Sequence, residues 1–213
     1  MNENDSTKIK NNQNISMKPF SEVTEFHGHI CPGSAIGYKA AKAGLNELNS
    51  HISEDEEIVT IVENDSCAVD AVQVLTGCTF GKGNLLFMDH GKQVYTFINR
   101  DTKDAVRVSL KNSFSVDTMA PKLGKLRAKV NSGIATELEK EDLNNMIIDV
   151  SDEILGIPYK KMFDIKHVEL ELPKKARMFK SVKCSKCGEM VSEHRSRVQN
   201  GEIVCIPCFG ESE

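Results

Sequence analysis

The chain has no long apolar run, no strong net charge and no export signal, and each absence excludes a class of protein. No apolar run in its 213 residues approaches the ~20 residues that a helix needs to span a bilayer. The formal net charge is −4, which gives no general attraction to nucleic acid or to an anionic membrane. Residues 1–18 are rich in Asn, Lys and Ser but lack the apolar core of a signal peptide. We therefore expect a disordered tail on a cytoplasmic protein.

A complete disulfide framework is also excluded, because the chain contains seven cysteines, an odd number. In the cytosol thiols stay reduced and bind metal more often than they pair. The N-terminal region lacks the dense cysteine runs of iron–sulfur proteins, and no molybdopterin-binding signature is present. With 39% hydrophobic and 27% charged residues, the composition is that of a soluble globular protein. The length allows one medium domain and a small one.

Hydrophobic periodicity predicts an α+β fold, a mixed sheet with packed helices. Thr136 and Glu139 have the spacing of a capping box ahead of the clearest amphipathic helix. Turn residues at 90–91 and 100–103 separate three strands and favour an antiparallel meander. We expect helices over residues 19–29, 32–49, 67–75 (capped by Asp65 or Ser66), 119–130 and 136–156, and strands over 58–62, 85–88, 94–98, 105–110 and 167–172.

The segment His-Gly-His-Ile-Cys-Pro-Gly, residues 27–33, carries three good metal ligands within five positions: His27, His29 and Cys31. Imidazole and thiolate are the preferred ligands of zinc and related transition metals. Pro32 suits the first position of a helix, so Cys31 is predicted at the N-cap, where the helix dipole favours thiolate. A glycine-rich turn with a buried thiol would also fit, but three soft ligands favour a metal or reactive-thiol site.

Cys67 is predicted in the first turn of another helix, so two cysteines at two helix N-termini could meet at one metal ion. Asp70, one turn later, either stabilises the helix in contact with solvent or orients a ligand. Cys78 is explained equally well as a buried structural thiol. The candidate ligands for zinc or another transition metal are thus His27, His29, Cys31, Cys67 and Cys78, and at least one of these five lies outside a sphere of about four.

The glycine-rich loop 76–84 contains Lys82 but is not a P-loop. Its glycines are too closely spaced, and Gly83 follows the lysine where Ser or Thr is required. A nucleotide triphosphatase is therefore excluded, although the loop could cradle an anion or form a tight turn. His90, next to Gly91, is expected to be an exposed turn residue.

The last forty residues contain two Cys-x-x-Cys pairs, separated by seventeen residues, which is the spacing of a structural zinc site. The four ligands are Cys184, Cys187, Cys205 and Cys208, and a hairpin signal at Asn200–Gly201 lies between the pairs. A zinc ribbon or treble clef is predicted, folded largely by its metal because so short a segment has little core. The predicted organisation is a tail at 1–18, an α+β domain at 19–173 and a zinc module at 174–213.

Two long motifs, Phe26–Tyr38 and Cys67–Asn84, resemble those of the FmdE family, which is named after formylmethanofuran dehydrogenase. The resemblance implies an accessory protein or metalloenzyme linked to a molybdenum or tungsten formylmethanofuran dehydrogenase in one-carbon metabolism, and it favours a homodimer. An open coordination position would let the N-terminal site polarise a carbonyl or activate water. The alternative is a metal-carrying adaptor whose zinc module binds a partner protein. A nucleic-acid-binding zinc ribbon is less favoured because the module carries little net charge.

Overall fold

The computed structural model describes residues 17–210 and divides the chain into two compact units, between Lys175 and Ala176. Residues 1–16 of the predicted tail lie outside the described residues. The first unit contains α1 (Phe20–His27), α2 (Pro32–Leu48), β1 (Ile58–Val62), α3 (Ala68–Thr76), β2 (Leu85–Phe87), β3 (Val94–Asn99), β4 (Ala105–Leu110), α4 (Val116–Met119), α5 (Leu123–Asn131), α6 (Glu137–Gly156), α7 (Tyr159–Met162) and β5 (Phe163–His167).

The first unit is built on a mixed five-stranded sheet in the order β2-β1-β3-β4-β5. The predicted α+β class is therefore confirmed. Strands β1, β3, β4 and β5 pair antiparallel, whereas β2 runs parallel to β1 at the edge. The meander prediction is correct for β3 and β4 but wrong for β2, because β1 lies between β2 and β3.

The main core lies between one face of the sheet and the helices. Tyr95 and Phe97 of β3 point into it and are fully buried. Alternate residues such as Val59 and Ile98 point to the opposite face and form a smaller cluster, which Val168 and other residues of the segment after β5 partly cover. This alternation follows from the period of two along a strand.

The prediction of a strand at 167–172 is wrong. β4 pairs with Phe163–His167 instead, and the pairing ends where the N–H of Val168 donates to the carbonyl of Ala105, the first residue of β4. Beyond this point no strand remains to pair with. Val168 and Leu172 still pack on the small apolar cluster, so the alternation marked burial without a partner strand.

Two predicted helices also differ from the structure. The helix expected at 119–130 is two helices, α4 and α5, with Pro121 in the break between them. The cap expected from Asp65 or Ser66 is absent, because Cys67 itself takes the N-cap position of α3. The Ser66 hydroxyl is instead bonded to Asn64 Oδ1 at 2.7 Å. The capping box that begins α6 is confirmed.

The second unit contains two hairpins and a short 3₁₀ helix, Glu193–Arg195. Its strands are β6 (Ser181–Lys183), β7 (Met190–Ser192), β8 (Arg197–Gln199) and β9 (Glu202–Val204). Asn200 and Gly201 both have positive φ (53° and 82°), as a two-residue hairpin turn requires, which confirms the predicted hairpin. Across residues 17–210, no helix has the length and apolarity to cross a membrane.

Candidate metal centres

Three of the predicted N-terminal ligands lie together. His27, Cys31 and Cys67 each offer one ligand atom, and these atoms are all within 4.8 Å of one another. His27 Nε2 is 3.7 Å from Cys31 Sγ. The three residues come from the end of α1 and the N-caps of α2 and α3. The structure therefore brings together donors that are forty residues apart in the chain.

The loop between α1 and α2 positions the first two donors. Gly28 ends α1 in the left-handed conformation (φ 87°), which favours glycine because it has no Cβ. Cys31 is extended and caps α2, and its sulfur accepts a hydrogen bond from the Ser34 N–H at 3.3 Å. Pro32 occupies the first turn of α2, as predicted.

Two glycines of α2 set the distance between Cys31 and Cys67. A Cβ on Gly37 would lie 2.6 Å from Ala68 Cα, so α2 and α3 make backbone contact immediately after Cys67. A Cβ on Gly33 would lie 3.2 Å from Cys67 Cβ. The small residues of α2 therefore allow the close helix approach expected from the sequence, and that approach brings the second sulfur to the site.

Asp70 contacts His27 rather than solvent alone. His27 Nδ1 lies 2.7 Å from Asp70 Oδ2, and Gln73 Nε2 donates to the other carboxylate oxygen at 3.3 Å. Nδ1 is therefore occupied, and Nε2 is left to face the sulfurs. This is the arrangement by which a carboxylate orients a metal-binding histidine. The spacing from Cys67 suggested Asp70, but nothing in the sequence suggested Gln73.

The site favours a charged thiolate at Cys31. Burial opposes ionisation there, but the hydrogen bonds from Ser34 and the nearby Cys67 and His27 outweigh burial and lower the pKa of Cys31. Burial and the negative charge of Cys31 raise the pKa of Cys67. Burial disfavours charge on His27, yet the Asp70 carboxylate and Cys31 raise the pKa of its imidazole. Two sulfurs that compete to ionise are typical of a site that a cation completes.

The other two N-terminal candidates lie outside this trio. His29 is exposed, with its ring centroid 4.4 Å from that of His27. Cys78 is fully buried, where its sulfur accepts from Thr60 Oγ1 and donates to the carbonyl of Ile58, both at 3.3 Å. These bonds match the interpretation of Cys78 as a structural thiol.

The loop 76–84 has the contacts of a tight turn. Lys82 Nζ donates to the carbonyls of Ser53 and Glu54, and buried Asn84 bonds Thr79 N–H. These contacts close the loop on itself and its neighbour. His90 is half exposed, as expected for a turn, and its Nδ1 lies 3.0 Å from Glu63 Oε2.

The four C-terminal cysteines form a second cluster, with all four sulfurs within 4.8 Å of one another. Cys187 Sγ lies 3.8 Å from Cys205 Sγ, and the Cys205 N–H donates to Cys184 Sγ at 3.3 Å. Backbone N–H groups lower the pKa of Cys184 to about 6. The neighbouring Cys205 raises the pKa of Cys208 to about 12. The cluster therefore carries one ready thiolate and others that a cation must stabilise, as in a closed structural site.

Comparison with protein families identifies both units. Residues 26–164 match the model described as FmdE, molybdenum formylmethanofuran dehydrogenase operon. The chain belongs to the FmdE family. Residues 177–213 match the prokaryotic dksA/traR C4-type zinc finger. Together with the four-cysteine cluster, this match supports zinc binding by the second unit.

Two similar proteins extend the comparison. A protein of Archaeoglobus fulgidus described as a probable S-adenosyl-L-methionine-binding protein is 32% identical over 198 residues. The match covers 87% of this chain but 51% of that relative, so the chain spans about half its length. A tungsten formylmethanofuran dehydrogenase FmdE-like protein from Syntrophus aciditrophicus has a TM-score of 0.54 and 24% identity, covering 93% of this chain and 98% of that one. That likeness concerns the fold alone.

Proposed function

We propose that the first unit of this FmdE-family protein binds zinc or a similar transition metal through His27, Cys31 and Cys67, and that the site is catalytic. The observation that carries the proposal is the convergence of these three donors with Asp70 behind the histidine. Three protein ligands leave one position of a tetrahedral ion for water or substrate, whereas a structural zinc has four. Cys67 is exposed, so a small molecule can reach the site from solvent.

The residues present fit such a metal. One imidazole and two sulfurs are soft or borderline donors, and two thiolates neutralise a divalent ion. A bound ion would supply Lewis-acid chemistry, polarising a carbonyl or activating water. Asp70 holds the imidazole with Nε2 facing the sulfurs, and Ser34 holds the Cys31 sulfur. His29, beside His27, is placed to exchange a proton with a molecule in the open position.

The family supports a place in one-carbon metabolism. Its description refers to the operon of a molybdenum formylmethanofuran dehydrogenase. On that basis the chain acts as an accessory protein or a separate metalloenzyme linked to such a dehydrogenase. A carbonyl of a one-carbon group is a ligand that the open position would accept.

The second candidate is a metal-carrying adaptor, favoured by the surface of the zinc module. Val198 and Ile203 are directly opposite each other on β8 and β9, and both are exposed, by 69% and 39%. Ile206 and Phe209 are also exposed, by 48% and 49%. Exposed apolar residues so concentrated in a small unit favour contact with another protein.

Cobalt(II) substitution distinguishes an open site from a closed one. The Cys184→Ser chain, in which only the N-terminal site should be intact, is loaded with cobalt(II) and titrated with azide and with formate. An open site predicts a change in the visible absorption with either anion, because the anion enters the coordination sphere. The Cys31→Ser chain, in which only the four-cysteine site should remain intact, is the matched control and should show no change.

Cobalt bound to the Cys184→Ser chain with a spectrum insensitive to both anions would contradict the catalytic proposal. It would favour the adaptor, because a site saturated by protein ligands suits structure or transport.

A further inference from the structure

Cys31 and Cys67 form a thiol pair as well as two halves of a metal site. Their sulfurs lie within 4.8 Å of each other, and the two side chains hydrogen-bond to each other. Each sulfur is fixed at the N-cap of its own helix. The backbone contact of Gly37 with Ala68 holds those helix ends together whether or not a metal is bound.

The surroundings of the pair allow the sulfurs to approach further. A disulfide requires an S–S distance of about 2.05 Å, so side-chain rotation must close the gap. Gly33 lies beside both sulfurs, and a Cβ there would be 3.7 Å from Cys31 Sγ and 3.9 Å from Cys67 Sγ. No side chain at this position restricts the rotation. Cys67 is exposed, so an oxidant in solution can reach it, whereas Cys31 is buried.

We propose that the N-terminal site is redox-regulated, with a reduced form in which Cys31 and Cys67 bind metal and an oxidised form in which they form a disulfide and the metal is released. This inference rests on the proposed function of the site. Disulfide sulfur is a poor ligand, so oxidation leaves His27 as the remaining donor of the trio. The buried Cys78, bonded within the core, does not take part.

The oxidation balances with a peroxide as the oxidant. The Cys67 thiolate attacks one oxygen of hydrogen peroxide, breaking the O–O bond to give a sulfenic acid and hydroxide. The Cys31 thiolate then attacks the sulfenic sulfur, forming the S–S bond and expelling the second hydroxide. Two protons convert the hydroxides to water, so the thiol pair loses two electrons and peroxide gains them. A dithiol reductant reverses the change by thiol–disulfide exchange.

The test uses the full chain, stripped of metal with a chelator and exposed to hydrogen peroxide. Tryptic mapping detects a link between the peptides that contain Cys31 and Cys67. Because the tryptic peptide 43–82 contains both Cys67 and Cys78, a second digestion on the amino side of Asp70 separates these two cysteines. Cys67→Ser and Cys78→Ser are treated in parallel, since serine retains the hydrogen-bonding capacity of each position. Zinc uptake is measured before oxidation, after oxidation and after reduction.

We expect a Cys31–Cys67 link in the wild type and in Cys78→Ser, and none in Cys67→Ser. The oxidised chain should lose the N-terminal zinc equivalent, and reduction should restore it. A reduced chain that binds both zinc ions but forms no such link, or a linked chain that still binds the N-terminal ion, would overturn the inference and leave the proposed function standing. A link formed by a chain whose reduced form binds no N-terminal metal would overturn the proposed function and the regulation with it.

Discussion

Among the individual residues, Asp70 determines which nitrogen of His27 faces the two sulfurs. Its carboxylate occupies Nδ1 at 2.7 Å, while Gln73 holds the carboxylate from the other side. Partners of this kind fix the orientation of the ring and raise its basicity. Asp70 therefore contributes to metal affinity without touching the metal.

Replacing Asp70 with alanine should weaken metal binding at the N-terminal site about 10–100-fold, because the imidazole loses its orienting partner. Asp70→Asn, which retains an acceptor, should lose less. The measurement is competition for zinc against a chromophoric chelator, made in the Cys184→Ser background so that one site is observed. Asp65→Ala, at an exposed aspartate nearby, is the control. Equal affinities of Asp70→Ala and Asp65→Ala would contradict the role.

Tyr95 should make the stability of the first unit depend on pH in the alkaline range. Burial raises the pKa of Tyr95 to about 12, whereas an unfolded tyrosine titrates near 10. Between about pH 10 and 12 the unfolded chain releases a proton that the folded chain keeps, so the free energy of unfolding falls as pH rises. The contribution is fully present below pH ~10.

The check is denaturant unfolding of the wild type and Tyr95→Phe at several pH values. Below about pH 10 the variant should be less stable by roughly 0.5–1.5 kcal/mol, since it lacks the 2.6 Å hydrogen bond to Gln93. The difference should narrow above that pH. A constant difference across the range would show that Tyr95 titrates normally.

At the scale of helices and strands, the sequence predicted elements whose signals are local. Pro32 after Cys31 predicted the start of α2, and Thr136 with Glu139 predicted the start of α6, because a cap depends on neighbours within one turn. The parallel pairing of β2 with β1 was not predicted. It depends on which distant strand lies beside which, and the turn at 90–91 carries no information about that choice.

Close contact between α2 and α3 should be required for the metal site. Gly37→Ala places a Cβ against the Ala68 backbone, so the helices must separate and the N-terminal metal affinity should fall. Gly44→Ala is the matched control, because its Cβ would lie 2.7 Å from Phe97 Cγ, away from the ligands. Both should lose about 1–3 kcal/mol of unfolding free energy to overpacking.

Zinc titration and denaturant unfolding separate the two effects of these glycine variants. Gly44→Ala should keep wild-type zinc affinity in spite of its lower stability. If both variants lost affinity equally, the helix contact would have no specific role in positioning Cys67.

In the molecule as a whole, two clusters of sulfur ligands serve two units in different ways. The first unit has an extensive apolar core independent of its three donors, whereas the second buries mainly Cys184, Val204 and Cys205. The spacing of the four cysteines predicted the second cluster from sequence. The first needed the fold to bring Cys67 to Cys31, and the sequence could only suggest that meeting from two helix starts. It could not separate Cys78 from the ligands, because the hydrogen bonds to Thr60 and Ile58 come from a distant strand.

Removing metal should therefore unfold the second unit alone. A strong chelator should abolish amide-exchange protection in residues 176–210, because metal binding supplies much of the folding free energy of so small a unit. Protection of β3 and β4 should persist. Loss of protection in both units together would contradict separate stabilisation.

Metal content is the most direct test of the central claim that this chain holds two independent metal sites. The wild type, Cys31→Ser and Cys184→Ser are purified under reducing conditions and their zinc is measured per chain. We predict two zinc ions in the wild type and one in each variant, with His27→Ala behaving as Cys31→Ser. One ion in the wild type that Cys31→Ser retains and Cys184→Ser loses would show that the N-terminal donors hold no metal.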